Sequence, residues 1–321
     1  MTFQMNINGI LNVNKPEGKT SFSIVAWLKR LSGEKRVGHA GTLDPIATGV
    51  LPICFGQATR VVQFLANCPK TYLAQVELGA VTDTLDREGT ITRCKDPSNV
   101  TTAQIEQALL TFKGPLEQVP PRYSALKHKG KPYYALAREG VHLEPKPRPV
   151  TIFSIDLVEV NIPCFTIKVT CSKGTYIRSL AHDLGQYLGY GAYLKNLTRT
   201  QYGTLCIDDA LPVSEIKCIF HKGIWNEYLY PVDTPLLDWQ AIIVGEAEEL
   251  AIRNGRLIFL DSNYQVSEQY CRAYSKDGSF IALLHFLPEQ NLWHPDKVFS
   301  LEQAEDNATG SNCKQSTCID L

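Results

Sequence analysis

The stretch of sequence that most suggests chemistry is a glycine-rich loop holding one carboxylate, Asp44. It reads GHAGTLDPIATGVLP over residues 38–52. Pro45 favours an extended conformation of Asp44, and Gly41 and Gly49 allow backbone shapes or close approaches that a side chain would block. A fixed loop that presents one carboxylate suits a nucleophile or a general base. An ordinary Asp-Pro turn is the alternative, and the loop alone does not decide between the two.

A second segment, CSKGTYIRSL over residues 171–180, leads from a strand into a helix. It places Tyr176 and Arg178 near the start of that helix. An arginine can hold a carboxylate by two parallel hydrogen bonds, and an Arg178–Asp44 pair would keep the aspartate ionised and oriented. A surface arginine and a core tyrosine are the alternative. The Lys-Gly-Thr triplet lacks the rest of the G-x-x-x-x-G-K-[ST] pattern, which argues against a nucleoside triphosphatase.

A third segment interleaves basic and aromatic residues, as PPRYSALKHKGK over residues 120–131. Such interleaving suits phosphate contacts and base stacking on RNA, although an exposed basic loop fits equally well. The charge distribution is uneven. Residues 1–60 hold seven Lys/Arg against three Asp/Glu and residues 121–180 hold ten against four, whereas residues 233–270 hold two against seven. A basic face is what binding a polyanion requires, and chance segregation of surface charge is the alternative.

Periodicity and turn residues predict the elements that position these segments. Strands are expected at residues 9–14, 72–78, 151–160 and 165–171, and helices from Thr20 or Ser21 to Gly33 and at residues 59–67, 101–112, 132–139 and 179–188. The irregular alternation predicts an α+β fold with a mixed, largely antiparallel sheet and flanking helices. Short strands around residues 250–256, 259, 270–274 and 280–286 predict a small β-rich C-terminal module.

We therefore expect a catalytic domain over residues 1–235, a small C-terminal module over 236–300, and a polar, acidic, disordered tail over 301–321. The ten cysteines form no C-x-x-C pair and the seven histidines no H-x-x-x-H pair, so no metal site is predicted. No apolar run is long enough to span a membrane, and no secretory signal is recognised. The sequence predicts a cytoplasmic protein with reduced cysteines.

Taken together, these segments resemble the TruB family of pseudouridine synthases. The resemblance covers about residues 9–212 and rests on four segments in order: GHAGTLDPIATGVLPI, KTYLAQVELGAVTDTLDREG, PPRYSALKHKGKPYYALAREG and CSKGTYIRSLAHDLG. Within the family, the resemblance is to the bacterial-type enzymes that isomerise uridine 55 in the T-loop of tRNA. It also suggests a PUA-like RNA-binding role for the C-terminal module.

The resemblance implies a role for individual residues. Asp44 corresponds to the catalytic nucleophile, Tyr176 and Arg178 to the tyrosine and arginine beside it, and Tyr72 to the tyrosine packed against the target base. His39 corresponds to the histidine that enters the T-loop, Lys15 to a lysine near the site, and Leu197 to an apolar wall. Asp86 corresponds to a structural or tRNA-contacting acid.

The implied enzyme flips the uridine out of the loop, needs no cofactor or metal, and works on the T-arm of tRNA as a monomer without an obligatory protein partner. Three alternatives remain open. An RNA-guided synthase of the box H/ACA type shares the catalytic domain, and an RNA chaperone could use the same surface without chemistry. A hydrolase using Asp44 is the third, although no partner that would activate water can be placed.

Overall fold

The computed structural model describes residues 7–124, 126–128, 130–133, 145–260 and 269–301. Most of the helix expected at residues 132–139 lies outside these ranges. The tail expected to be disordered also lies outside them, apart from Leu301.

The described part of the chain contains nineteen strands. They are β1 Gly9–Lys15, β2 Val37–His39, β3 Ala47–Phe55, β4 Lys70–Leu78, β5 Ala80–Thr82, β6 Ile91–Cys94, β7 Gly114–Gln118, β8 Lys127–His128, β9 Lys131–Pro132, β10 Arg148–Asn161, β11 Cys164–Cys171, β12 Ala192–Tyr202, β13 Leu205–Cys206, β14 Leu211–Pro212, β15 Leu229–Tyr230, β16 Ala241–Ile243, β17 Tyr270–Tyr274, β18 Phe280–Leu287 and β19 Leu292–Val298.

The described residues form six α-helices, which are α1 Ser21–Ser32, α2 Val62–Leu65, α3 Thr102–Thr111, α4 Ile177–Leu188, α5 Val213–Lys222 and α6 Glu246–Arg253. The predicted helix boundaries have clear local causes. Thr20 caps α1 by accepting a hydrogen bond from the Ser23 backbone, and Gly33 ends it in the left-handed conformation. Thr101 and Gln104 form a reciprocal capping box at the start of α3.

One large sheet organises the main part of the molecule. Its strand order is β14-β1-β3-β12-β4-β11-β10-β7, with β2, β13 and β15 paired at its side. Only the pairings of β1 with β14 and of β3 with β12 are parallel. This arrangement confirms the α+β fold with a largely antiparallel sheet.

Apolar residues from four helices and one face of the sheet form the main core. The helices contribute Ile24 and Leu28 of α1, Ile105 and Leu109 of α3, Leu180 and Leu184 of α4, and Ile216 of α5. The strands contribute every second residue because side chains alternate across a strand. In β4, for example, Tyr72, Ala74 and Val76 are buried while Leu73 is exposed. This alternation decides which strand residues can reach a cavity on the core side.

A second, four-stranded sheet, ordered β16-β17-β18-β19, forms the small C-terminal module. The strands predicted at residues 270–274 and 280–286 are present, but the one predicted at 250–256 is wrong. Residues 246–253 form the helix α6, in which Ile252 is buried and Leu250 is exposed. Alternation of two apolar residues suggested a strand, but a run rich in Glu, Ala and Leu favours a helix, and Arg253 pairs with Glu249 one turn away.

Aromatic rings join the C-terminal module to the helix α2. The Phe64 ring lies 5.2 Å from Trp239 in an edge-on contact, and Trp239 stacks on Tyr270 at 5.3 Å. Arg60 adds a second contact, because it lies over the Phe299 ring and donates a hydrogen bond to the Val298 carbonyl. The small module therefore packs directly against the segment around α2.

Candidate active site

The Asp44 loop connects β2 with β3 and needs both of its flanking glycines. Gly41 has φ of 64°, and a Cβ there would lie 2.7 Å from the Tyr202 ring. Gly49 has φ of 97°, and a Cβ there would lie 2.2 Å from the Arg199 carbonyl. Both values lie in the left-handed region that favours glycine. The loop can therefore approach β12 closely only because these two positions lack side chains.

Hydrogen bonds from the start of α1 and from β1 hold the other side of the loop. Ser21 accepts a hydrogen bond from the Leu43 backbone at 2.9 Å and returns one to its carbonyl. The ammonium of Lys15 is fully buried and donates to the carbonyls of Lys19 and Pro16, with a longer contact of 3.3 Å to Pro45. Burial lowers the pKa of Lys15 to about 8, although nearby Asp44 acts in the opposite direction. Lys15 thus stabilises the loop by donating hydrogen bonds to backbone carbonyls of the loop and of the adjacent turn.

Arg178 connects the loop to two other segments, around residues 84–86 and at Tyr123. Its Nε lies 2.9 Å from a carboxylate oxygen of Asp44, and one terminal nitrogen lies 3.5 Å from Asp86. The guanidinium also donates to the carbonyls of Thr84 and Tyr123, at 3.1 and 2.9 Å. The side chain of Arg178 is only 5% exposed, that of Asp44 37%. A buried arginine thus presents a carboxylate that solvent and substrate can reach.

Two hydrogen bonds to the backbone of Tyr176 fix the position of this residue. Gln118, at the end of β7, accepts a hydrogen bond from the Tyr176 N–H at 2.7 Å and donates one to its carbonyl at 3.0 Å. Gln118 is itself buried. Burial raises the pKa of the Tyr176 phenol, and Asp44 raises it further. The phenol is therefore protonated at neutral pH.

Two cross-strand pairs between β4 and β12 form the floor of the site. Tyr72 lies opposite Arg199, and Lys70 lies opposite Tyr202. Arg199 is fully buried and donates to the carbonyls of Val50 and Gly41, at 2.7 and 2.9 Å, so it also fixes the Asp44 loop. Lys70 and Arg199 both lie over the Tyr202 ring, at 4.6 and 4.8 Å.

Sequence reasoning missed Arg199, Lys70 and Gln118. The alternation of a strand would have indicated the first two. Arg199 follows Leu197 by two residues and Lys70 precedes Tyr72 by two, so each shares a face with a predicted site residue. The contact between Gln118 and Tyr176 spans 58 residues of sequence, and no local pattern signals it.

These residues surround a cavity of about 680 Å³. Among the predicted site residues, Asp44, Tyr72, Tyr176, Arg178 and Leu197 line it. The remaining lining residues are Gly41, Thr42, Leu43, Ala66, Lys70, Leu126, Arg148, Pro149, Val150, Ser172, Lys173, Gly174, Thr175, Ile177, Arg199 and Tyr202. The cavity has an apolar wall, one carboxylate and several cations, which fits a planar, uncharged ring attached to a polyanion.

Lys15, His39 and Asp86 do not line this cavity. His39 ends β2 and is half-buried, and burial lowers its pKa, with a further decrease from Arg199, so its imidazole is neutral at pH 7. Asp86 is buried and accepts a hydrogen bond from the Glu88 backbone at 3.1 Å. Of these three residues, Asp86 contacts Arg178 directly, and Lys15 contacts the loop backbone.

Comparison with known proteins identifies the family. Residues 29–177 match the family described as TruB family pseudouridylate synthase, N-terminal domain. The chain is 41% identical to tRNA pseudouridine synthase B of Dehalococcoides mccartyi over 303 residues, which cover 94% of this chain and all of that protein. The chain belongs to the TruB family. The corresponding protein of Haemophilus influenzae is 39% identical to this TruB-family chain over 283 residues, 87% of this chain and 90% of that one.

Solved structures show the same fold. The TruB-family chain aligns with the crystal structure of a Cbf5-Nop10-Gar1 complex at a TM-score of 0.69 and 24% identity, covering 91% of this chain and 85% of that one. The structure of an archaeal box H/ACA Nop10-Cbf5 complex aligns at 0.68 and 23%. These alignments support the fold, and the family assignment makes the protein a pseudouridine synthase, an isomerase of uridine in RNA.

Two kinds of feature are absent from the described residues. No group of three or more His, Cys, Asp or Glu side chains there is arranged to hold a metal ion. None of the helices in the described ranges is long and apolar enough to cross a membrane.

Proposed function

We propose that this enzyme isomerises uridine 55 in the T-loop of tRNA to pseudouridine, with Asp44 as the nucleophile. The observation that carries the proposal is the geometry of Asp44, which reaches the cavity while Arg178 holds it from behind at 2.9 Å. The names and coverage of the curated relatives support tRNA as the substrate.

The target uridine must leave the stacked loop before it can enter the cavity, at a cost of a few kcal/mol. Once it is flipped out, its ring would lie against Tyr72 and the apolar side chain of Leu197, both of which line the cavity. His39 lies outside the cavity, where it could fill the space that the base leaves. A neutral imidazole suits this role because it can stack without the cost of desolvating a charge.

Asp44 would begin ionised, stabilised by Arg178, and attack C1′ of the ribose or C6 of the ring, or assist cleavage of the glycosidic bond. The detached uracil would rotate within the cavity and rejoin the ribose through C5. The walls keep the base from escaping in the interval.

Removal of the C5 proton then completes the reaction. Tyr176 is the proposed acceptor. Because its phenol is protonated at neutral pH, the oxygen would accept the C5 proton as the phenol passes its own proton to the nearby carboxylate of Asp44, which is free again once the base has rejoined the ribose and which can return the proton to solvent.

We further propose that residues 1–235 act as the catalytic domain and residues 236–300 as a small RNA-binding module. On this view Lys15 and Asp86 position the loop and Arg178, since both contact the machinery from outside the cavity. The enzyme would work in the cytoplasm as a monomer, with neither a guide RNA nor a protein partner.

A tritium-release assay tests the proposed substrate. The purified protein alone is incubated with an unmodified tRNA transcript carrying 5-tritiated uridine, and with a matched transcript that has cytidine in place of uridine 55. We expect release of one label per tRNA from the first transcript and none from the second. Equal release from both would mean that another uridine is the target. Tight binding without any release would favour a guided enzyme or a chaperone.

A further inference from the structure

One part of the cavity wall carries two lysines, Lys70 and Lys173, that meet at one turn. The ammonium of Lys70 donates to the carbonyl of Ala66 at 2.6 Å, and that of Lys173 donates to the side-chain oxygen of Asn67 at 2.7 Å. Ala66 and Asn67 are adjacent residues in the turn after α2. The side chain of Lys70 on β4 and that of Lys173 in the turn after β11 thus bring their positive charges to the same place.

Nothing negative neutralises this pair within the described residues. Lys70 and Lys173 form no ion pair there, and Asp44, the only carboxylate among the residues lining the cavity, is engaged by Arg178. The pKa of Lys70 is lowered to about 8. Burial has the largest effect, and the positive charges of Arg199 and Lys173 lower the pKa further. Like charges held together in a partly buried site are costly unless an anion occupies it.

The segment that carries Lys173 is open on the cavity side. Gly174 has φ of 83°, and a Cβ there would meet no atom within 4 Å. The backbone N–H groups of Lys173 and Gly174 have no acceptor among the described residues. A glycine turn next to two ammonium groups can approach a phosphate closely. The Lys-Gly-Thr triplet, although it belongs to no nucleotide-binding loop, is thus placed where a phosphate could bind.

We propose that Lys70, Lys173 and the turn at Gly174 form a phosphate-binding site for the RNA backbone beside the flipped nucleotide. This inference rests on the proposed function and identifies residues that hold the RNA backbone at the same cavity without contacting Asp44. A nucleotide that swings out of the stack carries its flanking phosphates toward the mouth of the cavity. The two lysines would neutralise one of them and so stabilise the flipped state.

The test combines a protein change with a neutral RNA linkage. T-arm stem-loop RNAs are prepared with a single methylphosphonate at each of five successive linkages around the target uridine. The dissociation constant of each RNA is measured for the wild type, Lys173→Gln and Lys70→Gln. Lys173 is exposed, so its substitution should leave the fold intact. Lys168→Gln is the matched control, because Lys168 is also exposed but lies on β11 outside the cavity.

With the unmodified RNA, Lys173→Gln should weaken binding about three- to tenfold and reduce the slope of log Kd against log salt by about 0.7. One linkage should then behave differently from the others. Neutralising that linkage should weaken RNA binding by the wild type and by Lys168→Gln. It should cause no further loss of RNA binding by Lys173→Gln or Lys70→Gln.

Equal, additive losses for all proteins at every linkage would overturn the phosphate site while leaving the proposed function intact. Failure of the wild type to bind any T-arm RNA would instead contradict the proposed function, and the phosphate site with it. Because the readout is binding, the result does not depend on whether product forms.

Discussion

The two walls of the cavity differ in whether carboxylates balance their positive charges. On one wall, Arg178 is surrounded by Asp44, Asp86 and two carbonyls, so its positive charge is balanced before any substrate arrives. On the other wall, Lys70 and Lys173 donate hydrogen bonds only to neutral oxygens within the described part of the chain. A balanced network is preorganised and suits chemistry, whereas an unbalanced one has affinity for an anion. The difference separates the residues expected to set the reaction rate from those expected to set RNA affinity.

A large loss of rate that would sharpen this comparison is expected from Arg178→Lys. A lysine keeps the positive charge but cannot contact Asp44, Asp86 and both carbonyls at once. We expect the single-turnover rate of pseudouridine formation to fall about 10²- to 10³-fold, with a change in RNA affinity of less than about threefold. Rapid-quench assays and binding titrations measure the two quantities separately.

Arg253→Lys is the matched control for that experiment. Arg253 forms an exposed pair with Glu249 on α6, and such pairs contribute little to stability. The control should keep both the wild-type rate and the wild-type affinity. If Arg178→Lys lost as much RNA affinity as reaction rate, the proposal that one wall sets the rate and the other sets RNA affinity would be contradicted.

A smaller effect is expected from pH on the lysine wall. The pKa of Lys70 is lowered to about 8, so its ammonium is charged at pH 7 and largely neutral at pH 9.5 in the free enzyme. The groups facing it are Arg199, Lys173, and the thiols of Cys68 and Cys171, whose pKa values are raised by burial. RNA affinity should therefore fall as pH rises, with a midpoint above 8, because bound phosphate favours the charged form.

Titration of RNA binding between pH 7 and 9.5 measures this effect. The wild type should lose about three- to tenfold in affinity over the range, and Lys70→Met should lose less. Lys15 also has a pKa of about 8, but it is present in both proteins, so the difference between the curves isolates Lys70. Parallel curves would show that Lys70 makes no charge-dependent contact with RNA.

The sequence predicted the parts of the site that depend on local pattern. Pro45, Gly41 and Gly49 indicated a constrained loop around Asp44, and the strand-to-helix turn placed Arg178 where a pair with Asp44 was expected. The structure brings Arg178 and Asp44 together at 2.9 Å. The family resemblance supplied the proposed roles of Tyr72, Tyr176 and Leu197, which no local pattern gives.

The remaining features depend on long-range pairing that a single sequence does not specify. Arg199 lies opposite Tyr72 in the register of β4 and β12, and a register shift after Arg199 brings Tyr202 opposite Lys70. Gln118 reaches Tyr176 only because β7 lies at one edge of the sheet. In the C-terminal module, Leu250 and Ile252 fit a strand as well as a helix over a short window, and helix propensity decided between them.

Asp44→Asn provides the most direct test of the central claim, which is that Asp44 is required for the reaction while other residues bind the RNA. Binding of a 5-tritiated T-arm RNA and release of its label are measured on the same samples, for the wild type and for Asp44→Asn. The variant should bind RNA within about threefold of the wild type and form product at least about 10³-fold more slowly. Release of label by both proteins at the same rate would contradict the assignment of Asp44.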